Sequence, residues 1–230
     1  INIGQRLLNK CKPSNEGCLD PHWNPSLERY QSLMDLGFRR SGGYLYRPHC
    51  LDCRRCLPVR LPAGRFDPRR GQRRCWRDNQ NTLAIEMTLP HWDAEHQSLY
   101  TRYLQSRHPT GGMAQNNHPP LDFLTALWAT TRFIEFREAG RLIAVAVTDF
   151  LPKGLSAVYT FFDPAMPKRG LGTFAILTQI RLVMQSGKRH LYLGYWIPGS
   201  TTMHYKGDYR PIEVFDGKQW RECHKNPSLA

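Results

Sequence analysis

A chain of 230 residues with 40% hydrophobic content can bury one large core or two small ones, which excludes a disordered polypeptide; no apolar run approaches the ~20 residues that a membrane-spanning helix needs. The formal charge of +13 is unevenly placed: residues 1–80 hold sixteen Lys/Arg against seven Asp/Glu, a net of +9, and residues 81–230 hold sixteen against twelve, a net of +4. A basic half rich in arginine, with no basic amphipathic helix to lie on a bilayer, points to a polyanionic partner, nucleic acid ahead of membrane.

The opening Ile1-Asn2-Ile3-Gly4-Gln5-Arg6 lacks the charged flank and apolar core of an export signal, so a cytoplasmic protein is expected. Seven cysteines, an odd number without such a signal, argue against a disulfide framework. Residues 1–25 are polar and show no period, with Cys11 and Cys18 among Pro, Asn and Gly. A short helix is predicted over residues 26–36, with Ser26 as N-cap and Leu27, Tyr30, Leu33 and Met34 on one side. A hairpin over residues 38–47 follows, turning at Ser41-Gly42-Gly43.

Next comes His49-Cys50-Leu51-Asp52-Cys53-Arg54-Arg55-Cys56. Three thiols at spacing three can chelate one ion, so Cys50, Cys53 and Cys56 form a candidate zinc or iron–sulfur site, with Cys11, Cys18 or His49 as fourth ligand. The competing reading is a set of reduced structural thiols, which the basic surroundings would keep reactive. Arg65, Arg69, Arg70, Arg73, Arg74 and Arg77 then recur at roughly helical spacing, interleaved with Phe66 and Trp76 and offset only by Asp67. Such a stripe can follow a phosphate backbone while an aromatic stacks on a base. A merely solvated helix face is the alternative, although six like charges would repel one another.

A strand is predicted over residues 84–89 and a helix over 91–107, with Leu99, Tyr103 and Leu104 in the core. A polar loop to Pro120 and a short helix over 121–130 follow. Residues 133–136 alternate, 137–141 turn the chain, and 142–150 form a Val/Ile/Ala run with Asp149 near its end. Residues 155–162 are β-branched and aromatic, and Asp163-Pro164 stops them. Residues 171–187 change to helical period, with Ile176, Leu177, Ile180, Val183 and Met184 on one face and Gly187 at the C′ position. Residues 190–196 give a last strand, a basic aromatic loop runs from Pro198 to Pro211, and the tail beyond is undistinguished. A hairpin followed by strand, helix and strand makes a mixed sheet with a helix packed on it. The fold class is α+β.

Lys168-Arg169-Gly170-Leu171-Gly172-Thr173 lies between a strand end and a helix start, where backbone N–H groups and the helix terminus favour an anion. In the acetyltransferase-like (GNAT) fold this position cradles the pyrophosphate of acyl-coenzyme A, and the architecture resembles that fold. Acyl transfer needs a neutral amine, a carbonyl held nearby and stabilisation of an oxyanion. Asp149 or Asp163 could orient the amine, and Tyr159 could donate to the developing oxyanion. Against this, Asp163 before Pro164 suits an ordinary turn and Tyr159 suits a core. No Ser-His-Asp or Cys-His arrangement is readable, so no covalent intermediate is expected.

Leu36-Gly37-Phe38-Arg39-Arg40-Ser41-Gly42, Tyr46-Arg47-Pro48-His49-Cys50 with Cys53 and Cys56, Gln72-Arg73-Arg74, Arg107-His108-Pro109, the run from Leu155 to Pro164, Leu171-Gly172-Thr173, Tyr192-Leu193-Gly194-Tyr195-Trp196-Ile197 and Met203-x-Tyr205-Lys206 together resemble the bacterial aspartate/glutamate leucyltransferases, relatives of the arginyl-tRNA–protein transferases. The similarity is collinear from about Leu36 to Pro211. The family's opening Cys before Tyr-Leu-Pro is replaced here by Cys11-Lys12-Pro13, which leaves open the cysteine that completes a set with Cys50, Cys53 and Cys56.

The resemblance implies transfer of leucine from Leu-tRNA to the N-terminal α-amine of proteins that begin with Asp or Glu, marking them for the N-end rule pathway. A tRNA ester is already activated, so no cofactor is required for transfer. The turn at Arg169, Gly170 and Gly172 would then hold a tRNA phosphate. Arg39, Arg40, Lys206 and Arg210, with Tyr195 and Tyr205, are candidates for holding the acidic acceptor. The expected organisation is a GNAT-like mixed sheet flanked by helices over residues 81–230, with a small Cys-containing domain over residues 1–80. The competing functions are an acetyl-coenzyme A-dependent N-acetyltransferase and a non-catalytic metal- or RNA-binding module.

Overall fold

The computed structural model describes residues 23–48, 53–107 and 120–223. Helix α1 (Leu27–Asp35) starts as expected at Ser26, whose hydroxyl accepts from the Arg29 N–H. The hairpin β1 (Arg39–Ser41) and β2 (Tyr44–Tyr46) stands apart as a two-stranded sheet. The remaining strands are β3 (Leu57–Pro62), β4 (Ala84–Thr88), β5 (Thr131–Glu138), β6 (Arg141–Phe150), β7 (Gly154–Phe162), β8 (His190–Trp196), β9 (Ile212–Phe215) and β10 (Trp220–Cys223). They form one eight-stranded sheet in the order β10-β9-β3-β8-β7-β6-β5-β4.

Every neighbouring pair in that sheet is antiparallel except β7 and β8, which pair in parallel and only through Gly154–His190, Leu155–Leu191 and Ser156–Tyr192. Beyond Ser156 and Tyr192 the two strands part, opening a V in the middle of the sheet. Helix α5 (Leu171–Gln185) is the crossover between them. It buries Phe174, Ala175, Ile176, Leu177, Ile180 and Val183 against one sheet face. Helices α3 (Ala94–Arg107) and α4 (Pro120–Leu124) cover the other face, where Leu99, Tyr100, Leu104 and Leu124 meet Phe133, Val145, Val147 and Phe161. Burial on both faces explains why β6 reads as an unbroken apolar run instead of alternating. This is the α+β, GNAT-like arrangement expected from the sequence.

Three expectations fail for identifiable reasons. The turn is not residues 137–141: β5 continues to Glu138, and only Ala139 (φ 47) and Gly140 (φ 84) turn, both in the left-handed region that a tight hairpin requires. The tail is not featureless, since β9 and β10 build a sheet edge from segments too short to show a period. Finally, residues 1–80 do not form a separate folding unit among the described residues. Strand β3 pairs with β8 along its whole length, and helix α2 (Arg70–Asn79) packs on α5. Pro58 and Pro62 disguise β3 in the sequence, yet both lie outside its two-residue ladder with β9, so neither missing N–H breaks a bond there.

Candidate active site

The V between β7 and β8 leaves backbone carbonyls without ladder partners, and a side chain takes the ladder's place. From β1, the Arg39 guanidinium donates to the Ala157 carbonyl on β7 (2.7 Å) and to the Tyr192 carbonyl on β8 (3.4 Å). Gly194 (φ 84) lies beneath it, and a Cβ there would stand 3.4 Å from the guanidinium. A 3-10 turn, His204–Asp208, brings a second cation to the same place. The Lys206 ammonium donates to the Tyr195 carbonyl (2.8 Å) and lies 3.5 Å from Met203 Sδ. Gly207 lets this turn press on Trp196, where a Cβ would come within 2.6 Å of the indole.

Both cations are more than nine-tenths buried, and among the described residues no carboxylate pairs with either. Burial, and then the neighbouring Arg39 charge, lower the Lys206 pKa to about 7. Aromatic rings cluster on β7 and α3. Tyr159 on β7 packs against Tyr100, Tyr103 and Phe123, with ring centroids 6.2, 6.3 and 5.7 Å away. Its buried hydroxyl has no partner in good hydrogen-bond geometry, and burial together with the phenols of Tyr103 and Tyr100 raises its pKa well above the usual value. It therefore remains an O–H donor at any working pH. Tyr195 donates to the carbonyls of Gly37 and Tyr46, each at 3.1 Å, and Tyr205 is 41% exposed. Two desolvated cations, with the Tyr205 ring 5.9 Å from the Lys206 ammonium, suit a carboxylate-bearing ligand.

The two carboxylates expected to handle an amine are committed elsewhere. Asp149 is fully buried and accepts from Arg40 through both oxygens, from Thr131 Oγ1 (2.7 Å) and from the Tyr30 hydroxyl (2.8 Å). Arg40 is thereby removed as an acceptor-binding residue, since it also donates to the Leu124 carbonyl and is itself buried. Asp163 makes the turn that its following proline suggested: one oxygen accepts from the Ala165 N–H (3.0 Å) and the other from Arg141 (2.9 Å). Arg210 donates to the Cys223 carbonyl and ties β10 to the preceding loop. No local pattern distinguishes these carboxylates and cations from the Arg39–Lys206 pair; only their partners do.

On α2, residues 70, 73, 74 and 77 fall at the i, i+3, i+4, i+7 spacing of one helix face, and the four arginines line an open groove of about 600 Å³. Arg65 and Arg69 flank it and are paired, with Glu222 (2.8 Å) and Asp208 (2.5 Å) respectively. Trp76 is not available to stack on a base: its ring packs on Phe174 and lies under Arg181, whose guanidinium carbon is 4.5 Å from the ring centroid. Arg169 is likewise spoken for by Asn79 (2.8 Å), Thr82 (2.8 Å) and Glu138 (3.1 Å).

The glycine turn that would cradle a pyrophosphate is filled by α2. Cys75 Sγ lies 3.4 Å from the Gly170 carbonyl oxygen, and Gly172 abuts the Phe162 ring. The phosphate-holding role of Arg169, Gly170 and Gly172 is therefore corrected to one of packing. Coenzyme A is expected to give no thermal shift with the full chain; a shift abolished by Gly172→Val would restore the acetyltransferase reading.

Of the candidate metal ligands, Cys50 and Cys11 lie outside the described residues. Cys53 and Cys56 are half-buried thiols, and Cys56 immediately precedes Leu57, which pairs with Trp196 at the end of β8. Tyr100 and Tyr103 pack against Tyr159, a role that the sequence does not announce for either. Their i, i+3 spacing is a signal, but an equally good signal for packing in a core.

Comparison with known proteins places these features in a family. Residues 6–74 match the family described as "Arginine-tRNA-protein transferase, N terminus", and residues 95–216 match "Arginine-tRNA-protein transferase, C terminus". An aspartate/glutamate leucyltransferase of Halorhodospira halophila is 50% identical over 206 residues, covering 88% of this chain and 87% of its relative. One of Stenotrophomonas maltophilia is 47% identical over 213 residues, covering 89% and 84%. Among solved structures, L-PGS from Bacillus licheniformis shares the fold at 12% identity and a TM-score of 0.50, covering 76% of this chain and about half (51%) of its own.

Proposed function

This chain belongs to the arginine-tRNA–protein transferase family and, within it, to the aspartate/glutamate leucyltransferases; from that premise we propose that its donor is Leu-tRNA, that its acceptors are proteins beginning with Asp or Glu, and that the pocket between β7 and β8 selects them. It is an aminoacyltransferase that takes its aminoacyl group from a tRNA and gives it to a protein. Its product, in this reading, is marked in the cytoplasm for N-end rule degradation.

The observation that carries the reading is the pair Arg39 and Lys206, two cations buried side by side with no carboxylate partner among the described residues. Holding an unpaired ammonium in that position is unfavourable until an anion arrives. The acceptor's side-chain carboxylate supplies the anion, and Ala or Lys at the N-terminus cannot.

With the acidic side chain held, the acceptor's neutral α-amine attacks the ester carbonyl carbon. A C–N bond forms, the C–O bond to the terminal ribose breaks, and the amine proton passes to the ribose oxygen, relayed by the adjacent ribose hydroxyl. Tyr159 supplies the O–H that stabilises the oxyanion. The groove of Arg70, Arg73, Arg74 and Arg77 supports a path for the tRNA backbone, because four arginines on one helix face can meet successive phosphates.

Labelled Leu-tRNA and Arg-tRNA, offered with peptides starting Asp, Glu, Ala or Lys, test the proposal. Label from Leu-tRNA on Asp and Glu peptides alone is expected. Transfer from Arg-tRNA would change the donor, and tRNA binding without turnover would favour a binding module. Replacing Arg70, Arg73, Arg74 and Arg77 by Gln should weaken tRNA binding and reduce the slope of log K against log salt by about 0.7–0.9 for each phosphate that the groove no longer holds. An unchanged slope would remove the groove from the tRNA path.

A further inference from the structure

Away from the pocket, three polar side chains converge where the β4–α3 connection meets β5. His91 Nε2 lies 3.5 Å and His96 Nε2 3.4 Å from the same atom, Oε1 of Glu135. His96 and Glu135 are fully buried, and His96 Nε2 has no partner in good hydrogen-bond geometry. The His91 and His96 ring centroids are 4.5 Å apart.

The other atoms of these groups decide what the convergence means. His91 Nδ1 faces the Leu89 carbonyl (3.1 Å) and His96 Nδ1 faces the Asp93 carboxylate (2.7 Å); both are pure acceptors, so each Nδ1 carries the ring hydrogen. In the neutral ring that a metal ligand requires, each Nε2 is then a lone pair facing a carboxylate oxygen. Glu135 is held in place by Arg137 on Oε2 (2.7 Å) and by Thr88 on Oε1 (3.1 Å).

Three acceptors that converge need a cation between them. A single bridging proton would draw one pair to about 2.7–2.9 Å, shorter than either observed separation. Four-coordinate zinc, with bonds of about 2.0–2.1 Å, sets neighbouring ligand atoms about 3.4 Å apart, which both separations match. The Asp93–His96 and Leu89–His91 contacts are the outer partners that a histidine ligand requires.

We propose that His91, His96 and Glu135 form a divalent transition-metal site, most suited to zinc, that fastens the N-terminal turn of α3 to β5. His91, Asp93 and His96 can by themselves bring ligand atoms within 4.8 Å of one another; here Asp93 orients His96 instead of binding the ion. Since α3 carries Tyr100 and Tyr103 against Tyr159, the ion would steady that packing. The site uses none of Cys50, Cys53 and Cys56, and does not depend on the transferase reading.

The full chain, stripped with chelator, is titrated with Co²⁺ and followed by visible absorption, and its melting temperature is measured with and without Zn²⁺. The Cys50→Ser, Cys53→Ser, Cys56→Ser variant is expected to keep the N/O-type Co²⁺ spectrum. His91→Ala and Glu135→Gln should each weaken Co²⁺ binding at least tenfold and lose the zinc-induced rise in melting temperature. His91 is 44% exposed on a loop, so its variant should stay folded by circular dichroism. Binding seen only as thiolate charge transfer and abolished in the cysteine variant would overturn the proposal. So would Co²⁺ affinity unchanged by His91→Ala, or no Co²⁺ bound at all.

Discussion

Replacing Lys206 by Met is expected to lower kcat/KM for Asp and Glu acceptors roughly 100-fold while leaving Leu-tRNA affinity unchanged. Truncating one member of a buried, hydrogen-bonded charge pair costs about 2–5 kcal/mol, and the acceptor carboxylate would lose one of its two cations. Methionine fills the space of the lysine stem and removes a desolvated amine that no carboxylate offsets among the described residues, so the variant should fold at least as well. The pH dependence gives an independent readout. In the free enzyme Lys206 loses its proton near pH 7, and only the charged form attracts the acceptor. KM for acidic acceptors should therefore rise as pH climbs through about 7, approaching tenfold per unit, and this rise should vanish in Lys206→Met. Equal loss of acceptor and tRNA binding would sink the assignment, as would a discrimination between Asp and Asn peptides that survives the substitution.

The second large effect is one of stability. Asp149→Asn should cost about 3–5 kcal/mol, because it leaves the Arg40 guanidinium buried with no counter-charge. Urea unfolding with unchanged m-value checks it. Burial alone would raise the Asp149 pKa, but the Arg40 charge and the hydrogen bonds from Arg40, Thr131 and Tyr30 outweigh it and hold the group below its ordinary 3.8. This contribution is therefore complete above that value and is lost as pH falls through the lower, folded pKa. An Asp149→Asn protein with full stability but no activity would return the carboxylate to the chemistry. A companion Arg40→Met, Asp149→Leu variant should recover much of the loss, since an apolar pair leaves no orphaned charge.

Much of the architecture is legible in the sequence because period and punctuation are local properties. The central strands, the crossover helix and the Ser26 cap follow from side chains a few residues apart. The arginine face of α2 can be read from spacing for the same reason. The strands that escape such a reading are short or proline-bearing: β3 owes its place to pairing with β8, which lies about 135 residues onward, not to its own pattern.

Composition and local spacing suffice for the α+β class, the polyanionic partner and, through the joint pattern of the motifs, the family. They do not sort equivalent residues into roles. Arg39 and Arg40 are neighbours in the chain, yet their side chains point to opposite faces of a strand: one bridges the V between β7 and β8, the other neutralises Asp149. Trp76 and Arg169 have the composition and spacing of nucleic-acid contacts, but the packing of α2 on α5 commits both to the protein's interior bonds. Whether a charge is free or spent depends on partners up to 157 residues away, and folding in three dimensions is what brings those partners together.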